Sequence, residues 1–382
     1  MTPPAPTRAT QSLCDRSKSS DLFRASRLVR NDRLGTSATC RGYAADWLFT
    51  RRNSAGYAHH EAQRMSTAEA IFVVVICVLL VLVIGNILFS FLAERKNPPI
   101  GRFIDCDGVR LHYLERGDPA ARCVVLFHGN GTMIQDLIIS GLVDRLASRS
   151  RVICFDRPGF GYSQRPRARI WTATSQAALF VKALDQLGVR DPVVLGHSWG
   201  ALVAAAIGFQ NDYPYPIRGL VLASGYYFPT PRLDFWMLSG PAIPVLGDLV
   251  RYTVAPMISW AILPALIRKL FAPRSVPENF KHGFPASLTL RPKQLRAAAE
   301  ESAFLIPEAA RFQSRYPSIR CPVHIFHGTA DQIIEPEQAS RLNEVLGHSD
   351  LHLVRGAGHM VTYADSTSIA QAVESLEIAT VK

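Results

Sequence analysis

A serine flanked by glycines is the residue best placed for nucleophilic catalysis in this sequence. Ser198 is the central residue of the segment Gly196–Gly200, GHSWG. The apolar run PVVL precedes it and a helix-forming stretch follows, which is the context of a strand–turn–helix nucleophile elbow. A turn this sharp strains the serine backbone and leaves no room for side chains two residues away. The pattern predicts that Ser198 is a nucleophile.

A serine hydroxyl needs a base to take its proton, and a histidine in a glycine-rich loop is the best candidate. His359, in GAGHM, follows the last strand-like run. Asp331 directly follows the run CPVHIFHG, and we predict that its carboxylate orients the imidazole. Glu335 is the alternative acid. The chain order serine, aspartate, histidine is the one expected for such an elbow.

A tetrahedral intermediate also needs backbone donors for its negatively charged oxygen. The turn His128–Gly131, HGNG, ends the apolar run that begins at Cys123, and its glycines allow amides to point inward. We predict that the backbone N–H groups of Asn130 and Trp199 form the oxyanion hole. A tight turn without a catalytic role is the alternative interpretation.

The loop Phe155–Ser163, FDRPGFGYS, is a further marker in the sequence. Its proline and glycines predict a sharply turned loop. We interpret Asp156 and Arg157 as residues that brace this loop, with no direct part in the chemistry.

Seven short β-rich runs alternate with helical stretches from about residue 100 onwards. Continuous apolar strands that alternate with helices predict a mostly parallel sheet with helices on both faces. The runs are VRLHYLERG, CVVLFHG, RVICFDR, PVVLGHS, IRGLVLASG, CPVHIFHG and DLHLVRG. The predicted helices include 172–187, 201–210, 336–346 and 366–378.

The alternation fails once, at about residues 226–315, and we predict an inserted helical lid there. Its prolines and charged residues argue against a second membrane span. One predicted helical piece is Trp260–Phe271. Large apolar residues of this segment are candidates for a pocket lining, for a membrane-facing surface, or for simple packing within the lid. They are Phe235, Trp236, Met237, Leu249, Tyr252, Trp260 and Leu263.

The run Ile71–Leu92 is almost unbroken in its apolar character. As a helix it would extend about 30 Å, the thickness of a hydrocarbon core. It is too long for a signal-peptide core and no small-residue cleavage site follows it. We therefore predict a transmembrane anchor over residues 67–96, with the lipid bilayer as partner. Asn86 inside the run is either tolerated or mediates helix pairing.

The segment before the anchor, residues 1–66, is basic and lacks sustained periodicity. Residues 1–65 hold eleven Lys or Arg against five acids, within a formal charge of +11 for the whole chain. Such a stretch predicts disorder. An Arg-rich transit peptide and a translation start at Met65 are alternatives. Basic residues on the two sides of the anchor are nearly balanced, so the side of the catalytic domain stays open.

Composition excludes several function classes. Hydrophobic residues make up 48% of the 382 residues, which suits a buried core. The seven scattered cysteines show neither a disulfide framework nor metal-ligand spacing, and no metal site is predicted. Residues 97–382, the predicted catalytic domain, lack a basic stripe with interleaved aromatics, so no nucleic-acid partner is expected.

Together the HG-x-G turn, the D-x-P-G-x-G-x-S loop and the G-H-S-W-G elbow resemble the lidded serine-hydrolase branch of the α/β-hydrolase superfamily. The resemblance covers residues 100–380. It implies an eight-stranded, mostly parallel sheet with helices on both faces, a lid after the sixth strand, and no metal or organic cofactor. Haloalkane dehalogenases and epoxide hydrolases of this superfamily carry aspartate where this chain has Ser198, which disfavours their reactions.

The sequence therefore predicts a membrane-anchored serine hydrolase that cleaves a carboxylic ester through an acyl-enzyme. A lipophilic ester is favoured by an apolar lid close to a bilayer. Superfamily members with these motifs also act on C–C, amide and peroxy bonds, so those chemistries remain alternatives. A non-catalytic ligand-binding receptor and a membrane scaffold with a hydrolase-like body are further alternatives.

Overall fold

The computed structural model describes residues 65–209, 214–232 and 239–378. The chain divides into two units, Met1–Ala70 and Ile71–Lys382. Nearly all of the predicted disordered segment, 1–66, lies outside the described residues. The described part of the first unit begins helix α1, Thr67–Lys96. Ser66 and Glu69 each accept a hydrogen bond from the other's backbone amide, at 3.3 and 2.8 Å, which caps this helix.

Helix α1 is long and apolar enough to cross a membrane. Its 30 residues correspond to about 45 Å at the rise of an α-helix. Most of its large apolar side chains are exposed, while Asn86 and Ala93 are buried. This exposure differs from that of a buried core helix, so α1 is a candidate membrane span.

The second unit is built on an eight-stranded sheet with the strand order 1-2-4-3-5-6-7-8. The second strand pairs antiparallel with both the first and the fourth, and the remaining neighbours pair parallel. This confirms the predicted fold class. The strands are β1 Arg102–Cys106, β2 Val109–Arg116, β3 Cys123–Phe127, β4 Arg151–Phe155, β5 Val193–His197, β6 Gly219–Ala223, β7 Val323–Gly328 and β8 Ser349–Val354.

Helices cover both faces of the sheet, with a separate cluster of buried apolar residues on each face. Strands β3, β5 and β6 are buried along their whole length, which explains their continuous apolar sequences. The helices that flank the sheet are α2 Ile134–Ile139, α3 Leu142–Ala147, α4 Ala173–Gln186, α5 Trp199–Gly208, α11 Glu337–Leu346, α12 Val361–Ala364 and α13 Ser366–Ile378.

The chain between β6 and β7 forms helices that do not follow the strand–helix alternation. We call residues 224–322 the insert. Its helices are α6 Leu246–Tyr252, α7 Ala255–Phe271, α8 Glu278–Gly283, α9 Ala286–Thr289 and α10 Pro292–Phe312, with 3₁₀ turns at Gly240–Ala242 and Tyr316–Ser318. The lid boundaries predicted from the sequence, 226–315, stay a prediction.

Prolines interrupt the insert less than the sequence suggests. Helix α7 begins at Ala255, five residues before the predicted start, because Pro256 lies in its first turn, where proline costs no hydrogen bond. The helix also runs through Pro264. Helices α6 and α7 differ in direction by 68°, and only as a bent pair are they long and apolar enough to cross a membrane.

Candidate active site

Ser198 lies at the sharp turn between β5 and α5. Its backbone has φ 54° and ψ −119°, a conformation rarely adopted by residues with a side chain. Its N–H donates to the carbonyl of Ala223 at the end of β6, at 2.8 Å. The turn therefore holds the hydroxyl at the carboxyl edge of the sheet, where ligands of open α/β sheets bind.

The glycines on either side of Ser198 are required by close backbone contacts. A Cβ on Gly196 would lie 2.1 Å from the carbonyl oxygen of Gly200. A Cβ on Gly200 would lie 2.3 Å from the carbonyl oxygen of Phe127 and 2.7 Å from that of His128. A side chain at Gly196 would therefore force the first turn of α5 away from β5, and one at Gly200 would force α5 away from the end of β3.

The structure brings the three predicted catalytic side chains together. The distance between His359 Nε2 and Ser198 Oγ is 3.0 Å, and the distance between His359 Nδ1 and Asp331 Oδ2 is 2.8 Å. Both are hydrogen-bond distances, and the residues are 161 and 28 positions apart in the chain. A nucleophile, a base and an orienting acid in this sequence of contacts can activate a hydroxyl.

Asp331 is held as a carboxylate by its surroundings. Its Oδ1 accepts the backbone N–H groups of Ile333 and Ile334 at 2.8 and 3.0 Å. Burial alone would raise the pKa of this carboxyl, but the imidazole of His359 and hydrogen bonds from His327 and His359 lower the pKa well below its usual value. An ionised Asp331 stabilises the imidazolium that forms when His359 takes a proton.

His197 holds the backbone of His359 in place. His197, the last residue of β5, lies 3.0 Å through its Nε2 from the carbonyl oxygen of His359. Burial lowers the pKa of His197 to about 3, and the neighbouring His359 contributes in the same direction. A neutral ring must carry its proton on Nε2 to donate to that carbonyl. His197 therefore fixes the backbone of the loop that carries His359.

The turn after β3 packs against the nucleophile. Strands β3 and β5 pair in parallel, with Phe127 opposite Gly196, so their carboxyl ends lie side by side. A Cβ on Gly129 would lie 3.1 Å from Cβ of Ser198. The side chain of Asn130 points to the insert, where it donates to the carbonyl of Ala298 at 3.1 Å. The oxyanion roles of the Asn130 and Trp199 amides stay predictions that this arrangement favours.

Arg157 is a buried cation whose contacts extend beyond the loop that it was predicted to brace. Arg157 is fully buried, and its guanidinium donates to the carbonyls of His128 and Gly129, both at 2.8 Å. It also forms a bidentate ion pair with Glu301 of α10, whose side chain is fully buried. Arg157 thus joins the predicted oxyanion turn to the insert across 144 positions of sequence.

Asp156 braces the loop as interpreted from the sequence. Its carboxylate accepts the backbone N–H groups of Ile134 and Tyr162, both at 2.9 Å, and contacts His112 Nδ1 at 2.6 Å. Burial alone would raise the pKa of Asp156, but these hydrogen bonds and the imidazole of His112 lower it. Ser163 donates to the carbonyl of Asp156 at 2.6 Å.

Not every candidate from the sequence lies at this site. Glu335, the alternative acid, is half exposed and pairs with Arg232 at 3.2 Å. Phe235, Trp236 and Met237 lie outside the described residues. No group of three or more His, Cys, Asp or Glu side chains suited to a metal ion occurs within the described ranges.

An apolar cavity of about 370 Å³ lies between the predicted oxyanion turn and the insert. Asn130 and Met360 line its floor, and helices α7 and α10 supply much of its walls, including Ile262, Leu266 and Leu295. Among the described residues that line it there is no Lys, Arg, Asp or Glu. A cavity of this kind accommodates an uncharged, apolar group next to the predicted oxyanion turn and to Met360, the residue after His359.

Known proteins share this architecture. The model of the alpha/beta hydrolase family matches residues 124–372. The 2-hydroxy-6-oxo-2,4-heptadienoate hydrolase of Pseudomonas putida is 28% identical over 271 residues, which cover 69% of this chain and 91% of that protein. Such relatives support a hydrolase activity.

Solved structures agree on the fold. An enol-lactonase from Burkholderia xenovorans LB400 has a TM-score of 0.59 at 17% identity, covering 72% of this chain and 99% of its own. A bacterial membrane phospholipase A has a TM-score of 0.55 at 20% identity, covering 85% of this chain and 97% of its own. The matched residues, the sheet order and these likenesses show that the chain belongs to the α/β-hydrolase family.

Proposed function

We propose that this protein is a membrane-anchored serine hydrolase that cleaves carboxylic esters through an acyl-enzyme intermediate. The observation that carries the proposal is the continuous chain of hydrogen bonds from Ser198 through His359 to Asp331. A binding receptor or a scaffold has no need of a buried, ionised aspartate aligned behind a histidine and a strained serine. This chain of contacts therefore favours an enzyme over both alternatives.

The reaction follows from the roles of these groups. Ser198 Oγ attacks the acyl carbon while its proton passes to His359 Nε2, and Asp331 stabilises the imidazolium. The amides of Asn130 and Trp199 hold the oxyanion. His359 then gives the proton to the departing alkoxide, which leaves as the alcohol. A water molecule, deprotonated by His359, attacks the acyl-enzyme and releases the acid.

An ester is the bond class that the cavity favours. A substrate with a carboxylate, such as the 2-hydroxy-6-oxo-2,4-heptadienoate of the P. putida relative, would need a cation for its charge. The described lining residues of the cavity offer none. Hydrolysis of a C–C bond nevertheless remains the second candidate, because a relative of 28% identity is a hydrolase of 2-hydroxy-6-oxo-2,4-heptadienoate.

Membrane anchoring is proposed from α1 and is supported by one comparison. Residues 97–382 make up about three quarters of the chain. The fold match to the membrane phospholipase A covers 85% of the chain, so it includes residues before Asn97. The match to the enol-lactonase covers 72% of the chain, a share that residues 97–382 alone could supply.

Labelling with a fluorophosphonate tests the enzyme proposal. The wild-type protein should label covalently, and Ser198→Ala should not. Hydrolysis of p-nitrophenyl esters from acetate to octanoate then tests the bond class, with 2-hydroxy-6-oxo-2,4-heptadienoate as the competing substrate. Absence of labelling would refute the enzyme, and turnover of the dienoate alone would refute the esterase.

Retention of the full-length protein in carbonate-washed membranes tests the anchor. We expect it to stay with the membrane pellet, because peripheral proteins dissociate under these conditions. Release into the supernatant would contradict the membrane-anchored part of the proposal and leave the esterase part standing.

A further inference from the structure

Helix α1 contacts the insert at Glu94, which pairs with Arg291 and Lys293 at 2.6 and 2.8 Å, and at Asn86, its one buried polar residue. Asn86 Nδ2 donates to the carbonyl oxygens of Tyr252 and Thr253, at 2.7 and 2.8 Å. These carbonyls lie at the break between α6 and α7, where helical hydrogen bonds are interrupted. A backbone carbonyl without a hydrogen-bond donor is costly in hydrocarbon. The side-chain amide of Asn86 supplies the donor, so the break between α6 and α7 can lie beside an apolar helix. The contact places α7 alongside the proposed membrane anchor.

The exposed surface of α7 is suited to lipid. Trp260 is 70% exposed, although tryptophan is rarely left so open in a soluble protein. It is accompanied on α7 by Met257, which is exposed and lines neither cavity, and by Ile258, Ile262 and Leu266, which are exposed and also border the 370 Å³ cavity. A contiguous apolar surface next to a proposed membrane helix marks a lipid-facing region.

Two cavities meet on the inner side of α7. An open cavity of about 520 Å³ lies between Phe89 of α1 and Trp260 of α7. The second is the 370 Å³ cavity next to the predicted oxyanion turn. The same side chains line both, so the two are separated by a single layer of residues. The shared residues are Leu263, Ile267, Phe280, Phe284 and Leu290.

With α1 as the proposed anchor, the outer cavity would lie near the depth where lipid headgroups meet acyl chains. Phe89 is six residues before Arg95, which corresponds to about 9 Å along α1. Cations lie on the rim of the outer cavity. Arg268 lines it and forms no ion pair with another described residue, whereas Lys281 lines it and pairs with Glu278 at 2.6 Å. The rim therefore presents a net positive charge.

From these observations we infer that the passage between α1 and α7 admits single-chain lipids with an anionic headgroup directly from the bilayer. The acyl chain passes the layer at Leu263 and occupies the inner cavity, with its ester carbonyl at Ser198. The headgroup stays at the rim near Arg268, where the guanidinium matches a phosphate. This inference rests on the proposed esterase function and names the substrate class for the same site.

The test uses full-length protein in vesicles of a diether phosphatidylcholine, which an esterase cannot cleave. The vesicles carry either lysophosphatidylglycerol or lysophosphatidylcholine, and soluble p-nitrophenyl acetate is measured in parallel. We expect cleavage of both lipids, with lysophosphatidylglycerol faster. The readout for each variant is the ratio of the lipid rate to the acetate rate, which cancels a general loss of catalysis.

Two pairs of variants locate the passage. Leu263→Trp fills the layer between the cavities and should lower the ratio for both lipids by tenfold or more, whereas Ala265→Trp on the exposed side of α7 should not change it. Arg268→Glu should lower the ratio for lysophosphatidylglycerol by about tenfold relative to lysophosphatidylcholine. Lys269→Glu, which lines neither cavity, makes the same charge change one residue away and should leave the ratio as in wild type.

The possible failures are distinguishable. Hydrolysis of neither acetate nor lipid would refute the proposed function itself. Acetate hydrolysis without lipid hydrolysis, or an unchanged ratio in Leu263→Trp, would overturn the passage while leaving the esterase intact. Equal rates on the two lipids, or equal effects of Arg268→Glu and Lys269→Glu, would overturn the assignment of an anionic headgroup.

Discussion

The ion pair between Arg157 and Glu301 offers a test of how the predicted oxyanion turn is held. The carbonyl of Gly129, which accepts from Arg157 at 2.8 Å, belongs to the same peptide group as the N–H of Asn130. Because a trans peptide is planar and its C=O and N–H point in opposite directions, fixing the carbonyl also fixes the amide. Glu301→Gln removes the carboxylate charge that holds the guanidinium in place while nearly preserving side-chain shape.

The magnitude follows from the burial of both partners. Loss of one charge from a fully buried pair leaves the other uncompensated, which costs about 3–5 kcal/mol. With an unfolding entropy of about 2.1 cal/mol/K per residue, this corresponds to a decrease in Tm of roughly 5–8 °C for residues 97–382. If Arg157 turns away to find another partner, the Asn130 amide loses its orientation. Loss of one oxyanion donor lowers kcat by about 10²–10³, so we expect a fall in kcat of tenfold to a thousandfold.

The assay is hydrolysis of p-nitrophenyl butyrate at a temperature where circular dichroism shows both proteins folded. A positioning role should lower kcat more than it changes KM, because the oxyanion forms only in the transition state. Glu300→Gln is the matched control on the same helix, because Glu300 pairs with Arg165 and Arg296 at 2.6 Å and does not contact the turn. A folded Glu301→Gln enzyme with kcat within about twofold of wild type would refute the argument.

Substitutions at three other residues should change labelling or stability. Gly200→Ala should reduce fluorophosphonate labelling at least tenfold, since its Cβ would lie 2.3 Å from a carbonyl oxygen of β3, whereas Gly240→Ala, with nothing within 4 Å, should label normally. Burial raises the pKa of Asp136 from 3.8 to about 6, so the folded state binds the proton of this carboxyl more tightly than the unfolded state does. The free energy of unfolding should therefore fall by up to about 3 kcal/mol as pH rises from 4 to 6. In urea unfolding, Asp136→Asn should flatten that part of the pH profile. Asn86→Leu leaves two buried carbonyls unpaired and should cost about 1–3 kcal/mol in thermal unfolding; a change below about 0.5 kcal/mol would contradict the role assigned to this amide.

Local patterns in the sequence predicted seven of the eight strands, all but β1, and the order of the proposed catalytic side chains. Strands such as Val193–His197 are buried on both faces and therefore have continuous apolar sequences, and the helix Ser366–Ile378 has the bounds predicted for it. The elbow around Ser198 was predictable because its strain demands glycines two residues away. In each case the physical constraint acts within a few residues, so it leaves a mark in the sequence.

The contacts between the insert and the remainder of the second unit could not be predicted in this way. Arg157 and Glu301 are 144 positions apart, and neither stands in a pattern that indicates a buried partner. The same holds for Asn86, whose partners are 166 and 167 positions away. Such pairs depend on how the insert docks, which is decided by the packing of many side chains and not by a local period.

These two long-range contacts have a common consequence for how the insert works. Arg157 ties α10 to the turn beside Ser198, and Asn86 ties the break between α6 and α7 to the proposed anchor. Helix α7 lies between these attachments and lines both cavities. A movement of α7 that widens the layer at Leu263 can therefore admit a chain while α10 keeps the oxyanion turn in place.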